Sequence, residues 1–167
     1  MPAVEAVVGV HRDRFDAAAG WGVPAHVTVL YPFVVPSQVT DELIGAVARA
    51  LASVCAFDCR FDRTGWFGKD VMWLDPDPAR CFRDLTNAVW RMFPQHPPYG
   101  GAHPDVIPHL TIAERRLAEP AAMHDAEQSV RQHLPLTARI DQVLLIAGSL
   151  APASWRLVHQ FRLAAAD

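Results

Sequence analysis

An α+β fold built on mostly antiparallel sheet is what the sequence predicts, from three observations. Segments with an apolar period of two alternate along the chain with segments of period 3.6. Several strand pairs are joined by connections too short for a parallel crossover, which takes a dozen or more residues. One tetrapeptide pattern, His-apolar-Thr-apolar, occurs twice, at His26-Val27-Thr28-Val29 and at His109-Leu110-Thr111-Ile112, each time after a chain breaker.

Taken in order, residues 3–15 place Val4, Val7, Val8, His11 and Phe15 at helical spacing, with Pro2 suited to a first turn. A Val-rich strand over 4–10 is the competing reading. Gly20, Gly22 and Pro24 break the chain, and His26–Phe33 reads as a strand of β-branched and aromatic residues stopped around Pro32 and Pro36. Ser37 or Thr40 can cap a helix to about Val54, with Leu43, Ile44, Val47 and Leu51 on one face. Phe57–Trp66 and Val71–Leu74 read as neighbouring strands. Asp77 or Pro78 opens a helix to about Phe93 that turns Phe82, Leu85, Val89 and Met92 inward. After a Pro/Gly-rich loop, Pro94–Pro108, come a strand at His109–Ala113 and a helix from Pro120 to about Leu134. Leu136–Ala147 and Trp155–Leu163 read as two antiparallel strands about a Gly148–Pro152 turn.

With 167 residues the chain is long enough for one domain with its own core, and 51% hydrophobic against 20% charged residues is globular composition. A net charge of −3 excludes a broad basic grip on long nucleic acid but not a small phosphate ester held locally. Cys55, Cys59 and Cys81 read as reduced, packed side chains, since their spacing supplies no metal set. No signal sequence and no apolar run of membrane-spanning length is evident, so a cytoplasmic location is expected.

The doubled tetrapeptide carries the chemistry. Residues two apart on a strand share a face, about 7 Å from each other. His26 and Thr28 would then point one way while Val27 and Val29 enter the core. His109 and Thr111 repeat the pattern above Leu110 and Ile112. Two imidazoles near their ordinary pKa can divide proton removal and proton donation at a phosphodiester, and the two hydroxyls can donate to its non-bridging oxygens. This chemistry needs no metal or cofactor.

The pattern resembles the 2H phosphoesterase superfamily, in its 2′-5′ RNA ligase-like branch, which is named for two such motifs. Gly22-Val23-Pro24-Ala25, Leu30-Tyr31-Pro32-Phe33, Gly65-Trp66-Phe67-Gly68, Pro98-Tyr99-Gly100-Gly101 and Val106-Ile107-Pro108 extend the likeness over most of the chain from about Asp13 onward. The resemblance implies a single bilobed domain, in which two mostly antiparallel sheets with helices outside flank a central cleft about a pseudo-two-fold axis. It also implies activity on 2′-5′ linkages, 2′,3′-cyclic phosphates or ADP-ribose cyclic phosphate. Members usually begin with an apolar strand ahead of the first helix. Here residues 4–10 would have to serve, or the strand is missing and a monomer with an open sheet edge, able to recruit a second chain, is expected.

Around the pair, strand parity puts Ala113 and Arg115 on the face of His109, where Arg115 would hold a phosphate or ribose. Trp66 or Phe67 would stack on a base, and Tyr99 would close over the substrate from its loop. Tyr31 falls on the opposite parity to His26 and reaches the site only if Pro32 bends the strand. The expected partner is a small phosphodiester or RNA end, with no membrane. Two alternatives stand beside this enzyme reading. One is a non-catalytic nucleotide- or RNA-end-binding module on the same fold. The other is a metallohydrolase using His103, Asp105 and His109.

Overall fold

The computed structural model describes residues 1–165. Helix α1 (Pro2–Phe15) starts with Pro2 in its first turn and buries Val4, Val8, Arg12 and Phe15 along one stripe. Residues 4–10 are therefore helix, and the competing strand reading is set aside. Asp16 ends α1 and caps the short α2 (Ala17–Gly20), accepting the Ala18 amide at 2.9 Å.

Thr40 caps α3 (Asp41–Leu51) by accepting the Leu43 amide, and β1 (Phe57–Phe67) and β2 (Val71–Asp77) form an antiparallel pair. In α4 (Ala79–Met92) Phe82, Leu85, Thr86 and Val89 are buried. Met92, expected inward, is instead 44% exposed, because it lies in the last turn beyond the buried stripe. β3 (Leu110–Glu114) and α5 (Pro120–Arg131) follow.

The expected strand Leu136–Ala147 divides at Asp141 into β4 (Leu136–Ile140) and β5 (Gln142–Ala147), and β5 pairs with β6 (Arg156–Arg162). That division makes two sheets. One has the order β3-β2-β1-β4, antiparallel throughout; the other is the β5–β6 ribbon. Asp141 stays tied across the junction, its carbonyl accepting the Leu163 amide at 2.9 Å. The fold is α+β, as the periodicities predict.

Helix α1 packs on β3 and β4, while α5 packs on β1 and β3. Val4, Val8, Met72, Leu74, Leu110, Ile112, Met123 and Val130 are wholly buried between them. Each such side chain stabilises the fold by about 1.5–3 kcal/mol, so this layer is the rigid body under the second motif. On the other side α3 pairs with α4 and also meets β6. Among the described residues the ribbon gains no third strand, only a parallel bridge between Cys55 and Ala164.

Candidate active site

His109 immediately precedes β3, so its backbone is held by the four-stranded sheet. Leu110 and Ile112 are buried, and Thr111 lies opposite Trp73 in register. The His109 ring places Nδ1 2.8 Å from the Ile107 carbonyl. A carbonyl only accepts, so Nδ1 carries the proton and Nε2 is the basic nitrogen of the neutral ring.

The first motif is built differently. No strand forms over His26–Phe33, which corrects the sequence expectation. The segment bonds to side chains and loops instead of a ladder: Thr86 Oγ1 donates to the Val29 carbonyl at 2.7 Å, and the Tyr99 amide donates to the Tyr31 carbonyl at 2.7 Å. Pro32 removes a donor within the segment, and Pro24 and Pro36 break the chain on either side of it. Even so, Val27 and Val29 pack against the core, and His26 and Thr28 are half-buried. His26 repeats the imidazole geometry of His109. Its Nδ1 lies 2.8 Å from the Pro24 carbonyl, again two residues upstream, so Nε2 is again the basic nitrogen.

Burial, which disfavours the imidazolium, lowers the pKa of His26 to about 4, with the Arg12 guanidinium and His109 adding to the effect and the Pro24 hydrogen bond opposing it. Burial also lowers His109, against its hydrogen bond to Ile107. Tyr99 links the two motifs although they are far apart in sequence: its ring stacks on His109, and its amide donates to the Tyr31 carbonyl of the segment that follows His26.

Aromatic rings surround His109. Phe67 meets it edge-on at 4.8 Å between centroids, Trp73 lies at 6.1 Å, and Tyr99 stacks at 6.4 Å with 22° between planes. Trp73 is seated over Gly65, where a Cβ would come within 2.5 Å of the indole. Tyr99 holds a left-handed backbone, φ 53°, just before Gly100 at φ 64°. Such a conformation is uncommon for a residue with a side chain and costs on the order of 1–3 kcal/mol. Here it brings both the Tyr99 ring to His109 and the Tyr99 amide to Tyr31. Tyr31 is 49% exposed and lies 6.4 Å from the Trp155 ring.

Two expected neighbours lie elsewhere. Trp66 has the opposite parity to Phe67: it opposes buried Met72, and its ring lies 5.3 Å from His124 of α5. Phe67, not Trp66, faces the imidazole. Arg115 is displaced by a register shift. Thr111 opposes Trp73 but Ala113 opposes Met72, so Ile112 is an extra residue and the alternation reverses. Ala113 is wholly buried, and the Arg115 guanidinium donates to the Ala118 carbonyl at 3.0 Å and approaches Glu119.

His103 packs against Tyr99 at 5.8 Å, and among the described residues no three His, Cys, Asp or Glu side chains are grouped to hold a metal ion. Among those residues no helix is long and apolar enough to cross a membrane.

Sequence reasoning missed Trp73, Trp155, Glu5 and Arg12. The last had a readable signal: Val4, Val8, Arg12 and Phe15 form one stripe, and an arginine stands where an apolar residue is expected.

Solved structures share this fold at low sequence identity. TT0787 of Thermus thermophilus superposes with a TM-score of 0.70 at 18% identity, over 99% of this chain and 94% of that one. Escherichia coli LigT, solved in complex with 3′-AMP, gives 0.56 at 19% identity over 97% and 90%. A structure described as a phosphoesterase gives 0.57 at 17% identity over 98% and 92%. No curated protein sequence matches the chain. The family model of the 2′-5′ RNA ligase superfamily matches residues 3–149. The chain belongs to the 2′-5′ RNA ligase superfamily.

Proposed function

We propose that the protein is a metal-independent phosphodiesterase that cleaves 2′-5′-linked or 2′,3′-cyclic phosphate esters of RNA type, with His26 and His109 as its acid–base pair. One observation carries this reading: both imidazoles are locked by Nδ1 onto the carbonyl two residues upstream, so each offers Nε2, and Tyr99 bridges the two motifs, its ring stacked on His109 and its amide on the Tyr31 carbonyl. Membership of the superfamily supports phosphodiesterase-type chemistry. The LigT neighbour was solved with 3′-AMP, which supports a small nucleotide as the ligand class.

When the pair holds one proton, His26, with its pKa lowered to about 4, is the ring left neutral. It takes the proton of the attacking water as the water oxygen bonds to phosphorus. The bond from phosphorus to the leaving ribose oxygen breaks, and His109 delivers its proton there. Thr28 and Thr111 donate to the non-bridging oxygens as charge builds on them. Phe67, Trp73 and Tyr99 confine the His109 side and offer flat surfaces for a base.

The deciding experiment is a panel of 2′,3′-cyclic mononucleotides, 2′-5′ dinucleotides and ADP-ribose cyclic phosphate assayed in excess EDTA. Turnover of at least one ester is expected. Binding without turnover would mark a recognition module instead, and activity restored only by zinc or manganese would mark a metallohydrolase.

A further inference from the structure

The lead into His26 is clamped by two charged side chains of α1. Arg12 is 1% exposed. Its Nε donates to Asp16 Oδ2 at 2.9 Å, and its Nη2 donates to the Val23 carbonyl at 3.1 Å. Glu5 Oε2 accepts the Ala25 amide, and Glu5 Oε1 lies 3.7 Å from Arg12 Nη1. That Nη1 is buried and has no hydrogen-bond partner of its own.

These contacts fall on either side of Pro24, which has no N–H to anchor itself and whose ring fixes its φ. The Val23 carbonyl and the Ala25 amide are the backbone groups nearest Pro24 on either side, and both are held by α1, while the Val23 amide donates to the Ala18 carbonyl at 2.9 Å. The Pro24 carbonyl between them is the one that receives His26 Nδ1. We propose that Glu5 and Arg12 are positioning residues for His26. By holding the peptide groups that flank Pro24 they aim its carbonyl at Nδ1, keep the imidazole in a single tautomer and leave Nε2 as its reactive nitrogen. This role rests on the acid–base reading above and deepens it.

The energetics favour a specific role over simple filling. A guanidinium buried at this depth costs several kcal/mol unless it is paired and hydrogen-bonded, and an apolar residue would complete the α1 stripe without that cost. Arg12 is kept in contact with the backbone leading to His26. The charged groups around that ring are Arg12 and Glu5 of α1 and His109 at the start of β3, with Arg12 and His109 opposing its protonation and Glu5 favouring it.

The test compares Glu5→Ala with Glu5→Gln in the full chain, because the Gln amide oxygen can still accept from Ala25. Glu5→Ala is expected to lower kcat about tenfold, as small misplacements of a catalytic group do. KM should be little changed, and nitrogen NMR of His26 should show mixed tautomers. Glu5→Gln should restore most of the rate and the Nδ1–H form. Arg12→Lys, which keeps the charge but loses the fork, provides a second variant with the same expected direction. Wild-type kcat together with a pure Nδ1–H tautomer in Glu5→Ala and in Arg12→Lys would overturn the proposal. The tautomer measurement needs no substrate. Failure of the wild-type protein to turn over any ester would defeat the acid–base reading while the NMR result still decides this one.

Discussion

His109 enters through β3, on a sheet whose core is sealed by α1 and α5, whereas His26 has no strand beneath it and is held by Thr86, Tyr99, Glu5 and Arg12. The two tetrapeptides are alike in sequence, and the end result is alike too: Nδ1 on a carbonyl two residues upstream, hydrophobic neighbours in the core, a half-buried ring. The repeated feature is thus the seating of an imidazole, and it can be reached through a ladder of backbone hydrogen bonds or through side chains reaching across from a helix. The second route leaves the first motif dependent on individual residues, while the second motif draws on the whole sheet.

Measurements on the two halves can break or sharpen that comparison. His26→Ala and His109→Ala should each lower kcat by roughly 10²- to 10⁴-fold in the metal-free assay, and the double variant should be little worse than either, since a base without its acid completes no turnover. A rate that survives in one single variant would make the halves unequal. Thr28→Val and Thr111→Val should each cost roughly a hundredfold in kcat, the loss of one donor to developing charge; a much smaller loss at Thr28 would show that the strandless half does not align its hydroxyl.

Phe67→Ala should raise KM several-fold, whereas Trp66→Ala, on the α5 side of the same strand, should leave KM unchanged and lower Tm by a few degrees. Equal effects on KM would contradict the parity seen in β1.

The smallest effects concern pH. Both imidazoles sit below 6.5, so kcat/KM, which reports the free enzyme, should peak on the acid side of neutrality with both limbs under 6.5. Stability has the same origin. His26 titrates near 4 folded and near 6.5 unfolded, so between those values the unfolded chain binds more protons, and Tm should fall as pH drops through that window. His26→Asn should flatten the fall when the two unfolding curves are compared.

Much of this was legible because local rules governed it. The helices followed their apolar stripes, Thr40 capped α3, and the two motifs stood out by repetition. The failures have identifiable physical causes. The strand expected at His26–Phe33 has the right residues but no neighbouring strand to bond, and β propensity cannot supply one. Asp141 splits one apolar run between two sheets, a decision made by partners distant in sequence. Arg115 was misplaced because a single extra residue, Ile112, reverses alternation, and nothing in the residue types announces it. The clamp on Pro24 joins residues eleven and twenty positions apart and shows beforehand only as a charge on an apolar stripe.

Position 65 holds only a hydrogen atom, and the Trp73 indole lies in the room this leaves. One added methyl there would have to displace that indole, which already sits beside His109 and Phe67. A Gly65→Ala change is therefore expected to shift the aromatic surface beside His109 from the strand behind the indole.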